Sequence, residues 1–98
     1  MKNSRLHKRY EKELTLMVLV DGDEYGARTL NLSLGGLFVL MEPVPAIGQL
    51  VKIRVKFPAL ENESLLEAVV RWHGDGGAGM QFGSLRAIDV WAINQLMD

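Results

Sequence analysis

Residues 50–57 of the chain read Leu-Val-Lys-Ile-Arg-Val-Lys-Phe. Hydrophobic and basic side chains alternate here, and a period of two residues is typical of a β-strand with one buried and one exposed face. The basic side chains cannot share the buried face with Val51, Ile53, Val55 and Phe57. The stretch therefore predicts a half-buried strand and a mainly β fold.

Five further short apolar runs lie on either side of this strand, at residues 14–20, 25–32, 37–41, 65–72 and 78–82. Asp21-Gly22 indicates a hairpin between the first two runs, and the glycine cluster at 74–77 indicates another between the last two. Short strands separated by glycine turns are typical of a small barrel, whose closure removes exposed sheet edges. We predict a six-stranded antiparallel β-barrel over residues 13–83.

The two ends of the chain have different patterns. Residues 84–97 predict a C-terminal amphipathic helix, with Ser84 as its N-cap and Trp91 serving either the core or an interface. Residues 1–12 are polar and basic, and we expect a flexible arm. The predicted apolar stripe of the helix consists of Leu85, Ile88, Trp91, Ala92, Gln95 and Leu96.

Composition indicates one ordinary domain covering residues 1–98. The chain has 98 residues, 48% of them hydrophobic, a formal net charge of −1 and no cysteine. The missing cysteines exclude disulfides, thiolate metal sites and a cysteine nucleophile. The longest apolar run, residues 14–20, is too short to span a membrane, and no signal sequence precedes it. We expect a cytoplasmic protein without membrane insertion.

Nothing in the sequence resembles an active site. The two histidines, His7 and His73, belong to no metalloprotease, nucleophile-elbow or phosphate-loop motif. Acidic residues at 21–24 offer a cation site, but the same residues suit a hairpin turn, which we favour. We expect no enzyme activity, no metal and no cofactor, and the near-neutral charge disfavours nucleic acid as a partner.

Two features stand out from this background. Arg5 and Arg9 lie four residues apart in the arm, and a guanidinium binds phosphate bidentately or stacks on a base. Asn31 and Ser33 occupy alternate positions at a strand end, ahead of Gly36. Each feature alone has an ordinary explanation: a solvated basic tail for the first, and for the second a turn in which the polar side chains bind nearby backbone groups.

Together the two features resemble PilZ domains, which are bacterial receptors for cyclic di-GMP. That family carries an RxxxR motif before the first strand and a [D/N]xSxxG motif at the turn between the second and third strands. Residues 67–72 and 77–82 are also similar to the closing hairpin of the family, so the resemblance covers nearly the whole chain. The matched motif positions are Arg5, Arg9, Asn31, Ser33 and Gly36.

The resemblance implies a stand-alone cyclic di-GMP receptor. Arg5 and Arg9 would bind phosphates or guanine, Asn31 and Ser33 would contact a guanine edge, and Gly36 would leave room for the ligand. Binding would order the arm against the barrel and change the surface offered to an effector protein. The sequence offers Arg28 and Arg71 as auxiliary contacts, although each is equally well interpreted as a solvated side chain.

Two residues in and beside the motifs bear on this interpretation. Asn31 is neutral where the family also uses aspartate, which predicts modest affinity, and Ser4 stands where a further arginine would help to hold a second ligand molecule. We therefore favour a single ligand, and a monomer or weak dimer. The alternative function is a PilZ-like protein-interaction adaptor that does not bind nucleotide.

Overall fold

A computed structural model describes residues 13–97 of the protein, which form a closed antiparallel barrel followed by one helix. Neighbouring strands pair in the order β1-β2-β3-β6-β5-β4, and β4 pairs with β1 to close the barrel. This confirms the predicted six-stranded barrel. The elements are β1 (Leu14–Val20), β2 (Asp23–Leu32), β3 (Gly36–Leu40), β4 (Leu50–Val55), β5 (Ser64–Gly74), β6 (Gly77–Phe82) and α1 (Ala87–Met97).

The core lies inside the barrel and follows the alternation that the sequence shows. In β4 and the two residues that follow it, every second side chain from Val51 to Phe57 is buried, whereas Leu50 is 74% exposed. Burial alternates in the same way along β1 and β3, along β2 up to Thr29 and along β5 up to Val70, whereas the first four residues of β6 are all buried. The hydrophobic effect closes the barrel around one apolar interior. The buried side chains include Leu16, Val18, Val39, Val51, Ile53, Val55, Phe57, Leu66, Val70 and Met80.

Both predicted hairpins form, each around an aspartate and a glycine with positive φ. The values are 51° and 90° at Asp21 and Gly22, and 54° and 80° at Asp75 and Gly76. Two successive residues with positive φ make the turn whose twist matches that of paired strands. Among residues 13–97, no group of three or more potential metal ligands lies together, and no helix is long and apolar enough to cross a bilayer.

The prediction for the helix is wrong in its start and only partly correct in its buried face. Gly83 N–H donates to the Glu67 carbonyl at 2.8 Å, so the chain stays beside β5 after β6 ends. The helix begins only at Ala87, and Ser84 is not its N-cap. Its buried residues are Asp89, Ala92 and Ile93. Of the predicted stripe, Ala92 is buried and Leu85 and Leu96 pack partly against the core, whereas Ile88, Trp91 and Gln95 are exposed.

A buried carboxylate explains this rotation of the helix. The Oδ1 of Asp89 accepts a 2.5 Å hydrogen bond from the hydroxyl of Ser64 in β5. Arg86 donates to the same carboxylate through Nε at 2.9 Å and through a terminal nitrogen at 3.1 Å. The Arg86 guanidinium, assisted by Ser64, holds the pKa of Asp89 below its usual range although burial acts in the opposite direction. A polar group thus attaches α1 to the barrel.

The ionised form of Asp89 is expected to stabilise the fold above the unfolded-state pKa of about 3.9. Because the folded-state pKa is lower, this stabilisation is lost as the pH falls below about 4. Asp89→Asn should reduce the free energy of unfolding by about 1–3 kcal/mol near neutral pH. Urea unfolding between pH 3 and 7 should show this difference shrinking at the acid end.

The matched control is Asp75→Asn, which changes an exposed turn carboxylate. Asparagine also tolerates positive φ, so this variant should unfold like the wild type at every pH. If the difference in the free energy of unfolding between Asp89→Asn and the wild type stays constant down to pH 3, the role assigned to the Asp89 charge is contradicted.

Candidate functional site

Two β-bulges shape the outer face of the barrel. In β2, Thr29 pairs with Val39 but Asn31 pairs with Phe38, so Leu30 is the extra residue. An extra residue reverses the alternation of side chains beyond it. Regular alternation from the buried Thr29 would have placed Asn31 inside the barrel. The bulge instead turns Asn31 outward and Leu32 inward.

The second bulge has the same effect on β5. Val70 pairs with Met80 and Trp72 pairs with Gly79, which makes Arg71 the extra residue. Val70 is fully buried, so regular alternation would have buried the indole two positions later. Because of the bulge, Arg71 and Trp72 are both exposed.

The two bulges place four residues in one row across four strands. Asn31 of β2 pairs with Phe38 of β3, which pairs with Gly79 of β6, which pairs with Trp72 of β5. Gly79 has no side chain, and a Cβ there would collide with the indole nitrogen of Trp72. The indole therefore covers Gly79 and stacks on Phe38, with 5.3 Å between ring centroids and 22° between ring planes. The result is an aromatic surface beside Asn31.

The buried hydroxyl of Thr29 holds the bulge that carries Asn31. It donates to the Phe38 carbonyl at 2.6 Å and accepts from the Asn31 N–H at 3.2 Å. The hydroxyl thus satisfies two backbone groups that the bulge would otherwise leave unpaired in a buried place. Sequence reasoning missed Thr29, because threonine is common in strands and nothing in its neighbourhood indicates a bulge.

The turn between β2 and β3 is closed by Ser33. Its N–H donates to the Gly36 carbonyl at 2.9 Å, and its Oγ accepts from the Gly35 N–H at 3.2 Å. Its Oγ also donates to the Gly36 carbonyl over a long 3.5 Å, so the ordinary-turn interpretation is correct for this hydroxyl. The carboxamide of Asn31, in contrast, has no hydrogen-bonding partner among residues 13–97.

Gly36 is required by the backbone of the barrel. A Cβ at this position would collide with the Met80 carbonyl of β6, the strand that pairs with β3. The family resemblance implies that Gly36 leaves room for a ligand, and the structure adds a separate reason for glycine that acts without any ligand.

These residues line a cleft of about 370 Å³ on the outer face of β2, β3, β6 and β5. Arg71 and Gln81 form its far side, where Arg71 Nε donates to Gln81 Oε1 at 2.7 Å. A guanidinium has five N–H donors, so most of them stay available to a ligand. The cleft combines an aromatic surface, a carboxamide and a guanidinium.

The predicted site residues differ in where they lie. Asn31, Ser33, Gly36 and the auxiliary Arg71 all line the cleft. The auxiliary Arg28 does not, since it pairs with Glu13 at 3.3 Å on the exposed surface. Arg5 and Arg9 lie outside the described residues, so their contribution stays a prediction. Sequence reasoning did not assign Phe38, Trp72 or Gln81 to the site.

The fold and the cleft define a small β-barrel domain with a ligand-sized depression on its outer face. The family model of the PilZ domain matches residues 3–98. The chain therefore belongs to the PilZ domain family, and the matched range includes Arg5 and Arg9. PilZ domains are in general receptors for cyclic di-GMP. A comparison with curated proteins found no match.

Solved structures confirm the fold. The inhibitor of motility MotI/DgrA of Bacillus subtilis superposes with a TM-score of 0.77 at 21% identity, over 96% of this chain and 49% of that one. The chain thus spans about half the length of that protein. The PilZ domain of CeSA from a cellulose-synthesizing bacterium superposes with a TM-score of 0.70 at 19% identity, over 91% of this chain and 93% of that one.

Proposed function

We propose that this protein is a cytoplasmic receptor for cyclic di-GMP and that the ligand binds in the cleft beside the β2–β3 turn. The observation that carries the proposal is the convergence of Asn31, Ser33 and Arg71 with the exposed indole of Trp72 on one depression. The sequence separates these residues by up to 41 positions, and two bulges bring them to the same face.

The chemistry of the cleft suits a guanine base. The Asn31 carboxamide offers both an acceptor for the N–H groups of guanine and a donor for its O6. Arginine binds the O6 and N7 atoms of guanine bidentately, which is the role we assign to Arg71. The face of Trp72 is a stacking surface for a purine, and such stacking contributes about 1–3 kcal/mol per base.

The phosphates need positive charge that the barrel does not supply. Residues 13–97 contain six Lys and Arg against ten Asp and Glu, whereas residues 1–12 contain five basic residues against one acidic residue. A dianion is therefore repelled by the barrel as a whole and attracted by the arm. We assign the phosphates to Arg5 and Arg9.

The number of residues between Arg9 and the start of β1 allows this assignment. Leu14 pairs with Thr29, two positions before Asn31 in the neighbouring strand. Arg9 precedes Leu14 by five residues, which span at most about 18 Å. In the barrel order, β1 lies three strand spacings, about 14 Å, from β6, so the arm can reach the part of the cleft formed by β2, β3 and β6.

One backbone hydrogen bond connects the β2–β3 turn to the end of β6, and we propose that ligand binding affects the surface offered to an effector protein through this connection. The Gly35 carbonyl, in the turn that carries Ser33, accepts from the Phe82 N–H at 3.0 Å. Phe82 ends β6 and leads into the segment before α1. A ligand that orders the arm over the turn would therefore change the surface at the end of the barrel where α1 is attached.

Tryptophan fluorescence tests where the ligand binds, because the chain has only two tryptophans. In Trp91→Phe the remaining Trp72 lies in the cleft, and stacking of guanine on its indole should quench the emission in a saturable way. In the matched variant Trp72→Phe the remaining Trp91 lies on α1, and its emission should change little. Quenching confined to Trp91 would contradict the assigned cleft.

A further inference from the structure

The arginines between residues 13 and 97 differ in their partners. Arg28, Arg54 and Arg86 each form an ion pair with a carboxylate. Arg71 has no carboxylate partner among the described residues, and its Nε donates instead to the neutral carboxamide of Gln81 at 2.7 Å. Within this part of the chain, Arg71 is therefore the arginine whose charge stays uncompensated, and it lines the cleft.

The strand pairing explains why Gln81 contacts this guanidinium. Gln81 of β6 pairs with Val69 of β5, and the bulge makes Arg71 the extra residue two positions further along β5. Diagonal neighbours on one face of a sheet lie about 7–8 Å apart, a distance that long side chains bridge. On its other side Gln81 pairs with Gly36, which has no side chain. The bulge that exposes Trp72 thus also places Arg71 within reach of Gln81.

The hydrogen bond at Nε determines how the guanidinium can meet a ligand. Of the five N–H donors of an arginine, one belongs to Nε and four belong to the two terminal nitrogens. Because Gln81 occupies Nε, a bidentate contact with a ligand must use both terminal nitrogens. A carboxylate in the place of Gln81 would form a bidentate ion pair with Arg71 and compete with the ligand. A neutral carboxamide orients the guanidinium and leaves its charge available.

We propose that Gln81 is a positioning residue, which orients Arg71 so that the guanidinium selects guanine against adenine. Guanine presents two acceptors, O6 and N7, on one edge, and these match the two terminal donors of the guanidinium. Adenine presents the acceptor N7 beside the N6 amino donor, so one donor of the guanidinium meets another donor. The proposal rests on the proposed function, because it concerns the same cleft.

The other groups of the proposed site do not distinguish the two bases. The Asn31 carboxamide both donates and accepts, and asparagine also pairs with adenine. The indole of Trp72 stacks on either purine, because every base has a π-face. The phosphates that we assign to Arg5 and Arg9 are the same in cyclic di-GMP and cyclic di-AMP. The selection of guanine therefore depends on Arg71.

Calorimetric titration of the full chain with cyclic di-GMP and with cyclic di-AMP measures the selectivity, which is the ratio of the two dissociation constants. A bidentate contact discriminates between bases by roughly 10- to 100-fold, and we expect the wild type to prefer cyclic di-GMP by this factor. Arg71→Lys keeps the charge without the planar fork and should bind both ligands almost equally. Gln81→Met keeps the side-chain length without the acceptor and should lower the selectivity by roughly 3- to 10-fold.

The matched controls change the same residue types outside the cleft. Arg54→Lys alters an arginine that is paired with Glu24, and Gln95→Met alters an exposed residue of α1. Neither residue lines the cleft, so both variants should keep the wild-type selectivity. A partial loss of folded protein weakens the binding of both ligands in proportion and leaves their ratio unchanged. The selectivity therefore separates a positioning role from a general effect on stability.

The possible results separate this proposal from the proposed function. If the wild type binds cyclic di-GMP without preferring it to cyclic di-AMP, the role assigned to Gln81 and Arg71 is overturned and the proposed function stands. The same holds if Arg71→Lys or Gln81→Met keeps the wild-type selectivity. If the wild type binds neither dinucleotide, the proposed function and the role assigned to Gln81 are overturned together.

Discussion

Arg9→Ala is expected to weaken the binding of cyclic di-GMP by about 100-fold. A bidentate guanidinium–phosphate contact contains two charge-assisted hydrogen bonds, and its loss costs about 3 kcal/mol. Among residues 13–97 the only Lys or Arg that lines the cleft is Arg71, and we assign its guanidinium to the guanine base rather than to a phosphate. Isothermal titration calorimetry of the variant and the wild type in the same buffer measures this change.

Lys8→Ala is the matched control for this prediction. It removes one positive charge from a variable position of the RxxxR motif and leaves both arginines in place. Its affinity should fall only slightly, by the loss of long-range attraction, and raising the salt concentration should reduce the difference further. Equal losses of affinity in Arg9→Ala and Lys8→Ala would show that the arm acts through charge alone, which would contradict the specific role assigned to Arg9.

Gly36→Ala is expected to lower the melting temperature by about 12–24 °C without any ligand. Its Cβ would meet the backbone carbonyl of Met80, so relief requires β3 and β6 to separate at the point where they pair. Overpacking of this kind costs about 3 kcal/mol, and each kcal/mol shifts the melting temperature of a domain this size by about 4–8 °C. Thermal unfolding followed by circular dichroism measures the shift.

The control for this substitution is Gly26→Ala in β2. A Cβ at Gly26 meets nothing within 4 Å and its φ is not in the left-handed region. Alanine there should leave stability unchanged or raise it slightly, because it restricts the unfolded chain. If Gly36→Ala melts like Gly26→Ala, the structural role assigned to Gly36 is wrong and the glycine serves only the ligand.

The barrel could be predicted from the sequence because the features that indicate its strands and turns are local in the chain. Hydrophobic residues at every second position, as in residues 50–57, can be buried only on one face of a strand. The hairpins at Asp21 and Asp75 follow from the residue types that positive φ requires. These features depend on neighbours in the chain, and the structure confirms them.

The helix orientation and the shape of the cleft depend on residues that are distant in sequence. Hydrophobicity alone directs Trp91 inward, yet Asp89 is buried because Ser64 and Arg86 satisfy its carboxylate. The bulge in β2 depends on the buried hydroxyl of Thr29, which binds a carbonyl nine residues away. These partners are distant in the sequence, so a local pattern does not identify them. For this reason sequence reasoning identified Asn31 and Ser33 as site residues but did not identify Trp72.

Calorimetric titration of the wild-type protein with cyclic di-GMP tests the central claim most directly. We predict saturable heat with one ligand bound per chain, and little heat from GTP or cyclic AMP under the same conditions. No heat at ligand concentrations up to about 1 mM, which corresponds to a binding free energy weaker than about −4 kcal/mol, would contradict the claim. That result would favour the alternative in which this PilZ domain is a protein-interaction adaptor that does not bind nucleotide.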